Sequence, residues 1–137
     1  MQRNGTSRLR RVLTTGGTMA AAGALVGTLS TEAYAANIEV ATRGTSWWEP
    51  GAGVARYQEK GDYLTISDRA ADGAGVRAAL ADGNGKTLRA RTYSGGAGGS
   101  RTWNFNLPEN KRIWLHVCLK DNGEIKTATC RYYEGRA

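Results

Sequence analysis

The stretch Ile113-Trp114-Leu115-His116-Val117-Cys118-Leu119 constrains this chain more than any other. Ile113, Leu115, Val117 and Leu119 fall on one face at a period of two, and Trp114, His116 and Cys118 fall on the other. Bulk on both faces marks a central strand. Cys118 and Cys130 are the only cysteines, so the same strand is expected to be tied to the end of the chain by a disulfide.

The N-terminus reads as an address. Arg3, Arg8, Arg10 and Arg11 form a basic region, Met19 to Leu29 is weakly apolar, and Ala33-Tyr34-Ala35 has the small-x-small pattern of a signal-peptidase site. Residues 1–35 are therefore expected to be a signal peptide, and 36–137 a single secreted domain beginning at Ala36. The apolar stretch is too short, and too rich in Gly and Thr, to span a membrane. Arg10-Arg11 followed by Val12-Leu13 loosely fits a twin-arginine export signal, but an ordinary Sec signal is the simpler reading.

Cleavage would leave roughly 100 residues, enough for one modest core. It would also remove four arginines and Glu32, taking the formal charge from +7 to about +4. The raw charge thus belongs in good part to the signal, and no nucleic-acid partner is expected. A moderate positive charge outside the cell favours anionic surfaces such as wall polymers. Two cysteines in an exported chain read as one disulfide, whose short loop contributes about 3 kcal/mol by chain entropy. Two cysteines and one histidine do not supply a structural zinc site, and no metal or cofactor is expected.

Asn37 to Thr42 alternates weakly through Ile38 and Val40 and reads as an edge strand. Val54 to Gln58 and Tyr63 to Ser67 flank a Lys60-Gly61-Asp62 turn, with Leu64 and Ile66 inward. Asp68 and Asp72 in the next loop lack the spacing of a calcium loop and read as makers of Asx-turns. The Gly-rich run Ser94 to Ser100 is a flexible connection, not a phosphate loop, because no Gly-Lys-Ser/Thr follows it. Arg101 to Leu107 places Trp103, Phe105 and Leu107 inward. Pro108-Glu109-Asn110 turns into the central strand, and Ile125 to Tyr133 is the last one. No helix is expected. Short strands between Gly- and Asp-rich turns predict an all-β fold, a small antiparallel β-sandwich of about seven or eight strands. Its core is predicted to contain Leu64, Ile66, Val76, Leu80, Leu88, Trp103, Phe105, Ile113, Leu115 and Val117.

Gly75 to Ala81 and Lys86 to Tyr93 form the clearest hairpin. A three-residue loop, Gly83-Asn84-Gly85 with Gly85 left-handed, keeps the apolar phases together and pairs Leu80 with Leu88. That register sets Arg77 opposite Arg91 and Ala79 opposite Arg89, so Arg77, Arg89 and Arg91 would share one polar face. Like charges facing each other are destabilising; the face is either relieved by acids or kept to meet an anion. At the other hairpin, a two-residue Asn122-Gly123 turn would set Cys118 opposite Thr127, three residues short of Cys130. Either that loop is longer or the bridge crosses at a slant.

From Leu64 to Cys130 the chain resembles a group of small secreted actinobacterial proteins. The resemblance rests on a strand ending in Asp68, the Ala71-Asp72-Gly73 turn, a strand bearing Val76, the Gly-rich run after Ser94, Val117-Cys118-Leu119, and Cys130. Many relatives carry a second cysteine pair near the first Asp turn and in the Gly-rich loop; this chain lacks it. The resemblance implies a secreted β-domain and carries no mechanism.

For function, a non-catalytic extracellular binding protein is expected, not an enzyme. Its candidate anion- or glycan-binding residues are Arg77, Arg89 and Arg91 together with the loop pair Trp47-Trp48, whose flat rings suit stacking. The partner would be a cell-wall polymer or another extracellular macromolecule, met by a monomer. The plainer account of the tryptophans is that one ring plugs the core and the other lies on the surface. A secreted inhibitor or competition factor is the alternative, and a small hydrolase ranks below it. His116, the single histidine, reads as a partly buried, hydrogen-bonded strand residue rather than a catalytic one.

Overall fold

The structure, a computed structural model, describes residues 37–137. The expected signal peptide and its cleavage site lie outside the described residues. Eight strands follow one another without a helix: β1 (Asn37–Ala41), β2 (Gly53–Gln58), β3 (Tyr63–Asp68), β4 (Gly75–Asp82), β5 (Thr87–Tyr93), β6 (Ser100–Asn104), β7 (Arg112–Asp121) and β8 (Glu124–Arg136). They form two four-stranded antiparallel sheets, A in the order β1-β2-β3-β6 and B in the order β5-β4-β7-β8. Among the described residues no helix is long and apolar enough to cross a membrane.

The period-two faces meet between the sheets. Sheet A contributes Ile38, Val40, Ala55, Tyr57, Leu64 and Ile66, and sheet B answers with Val76, Ala78, Leu80, Ile113, Leu115, Val117 and Leu119. Each large aliphatic side chain buried there contributes roughly 1.5–3 kcal/mol. Of the predicted core residues, Leu88 and Trp103 are only half-buried, because β5 and β6 are edge strands and nothing closes over their outer halves. β7 is central in sheet B, as its two bulky faces require.

Two bulges decide which side chains face where. The β4–β5 turn closes as expected: Asp82 N–H donates to Lys86 O, and Gly85 is left-handed with φ 85°. Asp82 Oδ1 accepts from the N–H groups of Asn84 and Lys86, each at 2.9 Å. One residue further on the ladder slips. Ala81 pairs with Thr87, but Leu80 pairs with Arg89, so Leu88 is the extra residue of a bulge. The expected pairing of Leu80 with Leu88 is therefore corrected, and so is everything beyond it. Arg77 stands opposite Thr92, Ala79 opposite Ala90 and Ala78 opposite Arg91. A one-residue slip moves every later side chain to the other face: Arg89, Arg91 and Tyr93 turn inward, while Arg77 stays outside.

The second bulge resolves the position of the disulfide. The β7–β8 turn is the tight one, with Asn122 and Gly123 both left-handed at φ 52° and 78° and Asp121 paired with Glu124. Leu119 pairs with Lys126 but Val117 with Arg131, so residues 127–130 all stand against Cys118. The buried hydroxyl of Thr129 holds this bulge, accepting from Leu119 N–H at 2.9 Å and donating to Lys126 O at 2.6 Å. Cys130 thereby reaches Cys118, and the two form the disulfide.

The Gly-rich run is fastened rather than free. Gly98 N–H donates to Asp68 O and Asp68 N–H donates to Gly99 O, at 2.7 and 3.0 Å. Asp68 and Asp72 make the expected Asx-turns, accepting from Ala70 and Ala74 N–H at 3.1 and 3.0 Å.

Candidate functional site

The outer face of sheet B is the side of the central strand that the core does not use. Across it run Arg77, Ala79 and Ala81 from β4, Trp114 and His116 from β7, and Tyr132 from β8. The register sets Ala79 beside His116, Ala81 beside Trp114 and His116 beside Tyr132. Two alanines in a row of large residues leave a hollow. Trp114, His116 and Tyr132 wall one side, the Asp82–Thr87 turn rises on another, and the hollow, open to solvent, has a volume of about 450 Å³.

The wall is ordered by ring contacts. His116 and Tyr132 stack with centroids 5.3 Å apart and planes 28° from parallel. Trp114 meets the same Tyr132 edge-on at 5.7 Å and 70°. Such arrangements match the ring quadrupoles and hold the side chains in place. Tyr132 keeps 58% of its surface exposed, so the rings form an open platform.

His116 is the titratable group of this hollow. Partial burial, and after it the neighbouring Arg77 guanidinium, pull its pKa below the ordinary 6.5. Both effects disfavour the imidazolium and favour the neutral ring, which presents one donor and one acceptor nitrogen. No hydrogen bond from a described residue fixes its tautomer. No group of three or more His, Cys, Asp or Glu side chains that could hold a metal ion occurs among the described residues.

The residues singled out from the sequence do not come together. Arg77 lies on the outer face of sheet B beside His116. Arg89 and Arg91 lie on the inner side of β5, their guanidinium carbons 5.9 and 5.0 Å from the Phe105 ring centroid. Trp47 is 85% exposed, while Trp48 packs against the core, and their loop lies against residues 124–129 of β8. β5 and β8 are opposite edges of sheet B. The leading candidates thus occupy three separate places. His116 was legible as a half-buried strand residue, but its partners were not: Ala79 and Ala81 carry no chemistry of their own, and the face of Tyr132 depends on the bulge at 127–130.

No family model and no curated protein matches the chain. Among solved structures it is similar to an endonuclease/exonuclease/phosphatase from Beutenbergia cavernae, with 29% identity over 62% of this chain and 24% of the other and a TM-score of 0.44. The chain spans about a quarter of that protein's length. A likeness at this level transfers neither fold family nor activity. It lends no support to the expectation of a non-catalytic binder of wall polymer or anionic glycan. The geometry removes that expectation's physical basis as well, because the Arg77, Arg89, Arg91 and Trp47-Trp48 surface on which it rested does not exist as one surface. The expectation is withdrawn.

Proposed function

We propose that the hollow on the outer face of sheet B receives a small molecule carrying a planar ring with an ionisable hydroxyl, and that His116 accepts the proton of that hydroxyl. The observation that carries this reading is the conjunction of a half-buried imidazole with an aromatic wall and an alanine floor in one concavity. Flat alanines let a ring approach the sheet closely. Trp114 and Tyr132 supply the stacking surface, and His116 the acceptor nitrogen. When the hydroxyl proton moves to the imidazole, the oxygen left behind carries the negative charge, and Arg77 is the cation on the same face to balance it. The reading extends to location: a disulfide-bonded domain behind a stretch with signal-peptide character works outside the cytoplasm, starting at Ala36.

p-Nitrophenol tests the proton transfer directly, because its phenolate absorbs visible light and its phenol does not. Added protein is expected to raise the phenolate band below the free dye's pKa, with the single histidine's NMR resonances moving in step. His116→Gln should abolish the increase in the band and Arg77→Gln should weaken it. An unchanged spectrum with unmoved His116 resonances at millimolar dye overturns the reading. Intact mass of the exported protein tests the location; a retained residue 1–35 segment would overturn it.

A further inference from the structure

The bulge at Leu88 does more than separate Arg77 from its expected neighbours. It turns Arg89 and Arg91 toward the inner side of edge strand β5, where both guanidinium groups lie over the same ring, Phe105, at 5.9 and 5.0 Å. On the facing edge strand, the pairing of Leu64 with Trp103 and Ile66 with Arg101 turns Trp103 and Arg101 inward as well, with the Arg101 guanidinium 5.2 Å from the Trp103 centroid. The rim of the sandwich between β5 and β6 is therefore a row of cations laid on aromatic rings.

Part of this arrangement is structural. Arginine stems cover the core rim left open by two edge strands, and each cation gains from the ring face beneath it. Inward-pointing charge also discourages edge-to-edge pairing with another chain. None of this explains why two like charges share one ring. The ion pairs Arg112–Glu134 and Lys126–Glu124 both lie away from the rim. The arginines are also held in place. Arg89 Nη1 donates to Leu88 O at 2.7 Å and Arg91 Nη1 to Ala90 O at 2.8 Å. Each anchor uses one nitrogen of a five-donor fork and leaves the rest exposed and pre-oriented.

We infer that Arg89 and Arg91 form a site for a small phosphate-type oxyanion, a phosphate monoester or free phosphate. Tetrahedral phosphate oxygens accept bidentate pairs from guanidinium forks, which a lysine row would not provide. An anion placed there relieves the repulsion between the two cations on Phe105. The site is on the opposite side of β5 from the His116 hollow and stands independently of it.

The experiment is a calorimetric and NMR titration of the domain with inorganic phosphate and with phenyl phosphate, at constant ionic strength. Binding is expected to move the Arg89 and Arg91 Nε–H signals and the ring signals of Phe105 beneath them. Arg91→Gln, which keeps most of the stem, should weaken binding about tenfold, and Arg91→Lys should fall between it and the native protein. Arg112→Gln, remote from the rim, should bind as the native protein does. Tighter binding of phenyl phosphate than of phosphate would identify an organic monoester as the ligand type, and equal binding would show that the oxyanion alone is read. Equal affinity of native protein, Arg91→Gln and Arg91→Lys overturns the site, as does the absence of rim perturbations at millimolar phosphate.

Discussion

The phenol of Tyr57 donates a hydrogen bond to Asp62 Oδ1 inside the sandwich, and the other carboxylate oxygen, Oδ2, accepts from Leu107 N–H at 3.0 Å. Asp62 also gives its carbonyl to Phe105 N–H at 2.8 Å. A single buried acid thus fastens the β2–β3 turn to the segment that leaves β6, and through Phe105 it supports the rim where Arg89 and Arg91 lie. Asp62 is left-handed at φ 53°, a conformation that Asp and Asn tolerate better than most residues.

Tyr57→Phe should cost about 1–3 kcal/mol in a urea melt, because it leaves a buried carboxylate oxygen short of a donor. Asp62→Ala should cost more than Asp62→Asn, since alanine loses both acceptors and is strained at a positive φ. Burial, and after it the hydrogen bond to Asp62, raise the Tyr57 pKa far above 10.0. A folded pKa above the unfolded one means stability that is present below pH 10 and lost as pH rises beyond it. Alkaline destabilisation should therefore be steeper in the native protein than in Tyr57→Phe; parallel curves would refute the assignment.

The bulge at 127–130 depends on one hydroxyl. Thr129→Val keeps the shape but leaves Leu119 N–H and Lys126 O without it, at a cost of about 1–3 kcal/mol. Reducing Cys118–Cys130 should cost about 3 kcal/mol. The two losses share one local structure, so the reduced Thr129→Val protein should lose less than their sum. Additive losses in thermal melts would show that hydroxyl and disulfide act separately.

His116 is the sole histidine, so its titration is followed by one set of NMR signals. Its midpoint should lie below 6.5 in the native protein and rise in Arg77→Gln, which removes the second of its two causes. Because the folded pKa is depressed, the neutral ring's contribution to stability is present above about pH 6.5 and lost as pH falls through it. His116→Gln should flatten the acid side of the stability curve. A midpoint at or above that of an unstructured peptide would contradict the burial.

Two glycines should respond oppositely to alanine. At Gly135, opposite Ile113 on the inner face of β8, an added Cβ would collide with Ile38 of the other sheet. Gly135→Ala should cost about 1–3 kcal/mol by overpacking. Gly83 has open space around its missing Cβ and no positive φ, so Gly83→Ala should be neutral or stabilise by up to about 1 kcal/mol. Equal effects on chemical denaturation would be the refuting result.

By itself the sequence determined the strands, the central place of β7, the turn chemistry and the pairing of the two cysteines. These rest on local physics: a period of two, glycine at left-handed positions, and side chains that bond their own loop. Ile113, Leu115 and Val117 face the core because the pleat alternates wherever the strand runs. What only the tertiary structure decided is the face of each residue beyond a bulge. Leu88 and residues 127–130 interrupt their ladders because each strand must fit both its neighbour and the opposite sheet, and that fit has no local signature. One such slip scattered Arg77 from Arg89 and Arg91. The other brought Cys130 to Cys118 and sets the strand that carries Tyr132 beside His116. A strand's alternation is local and can be read along the chain, whereas its register is a property of two strands and settles only when the sheets close on one core.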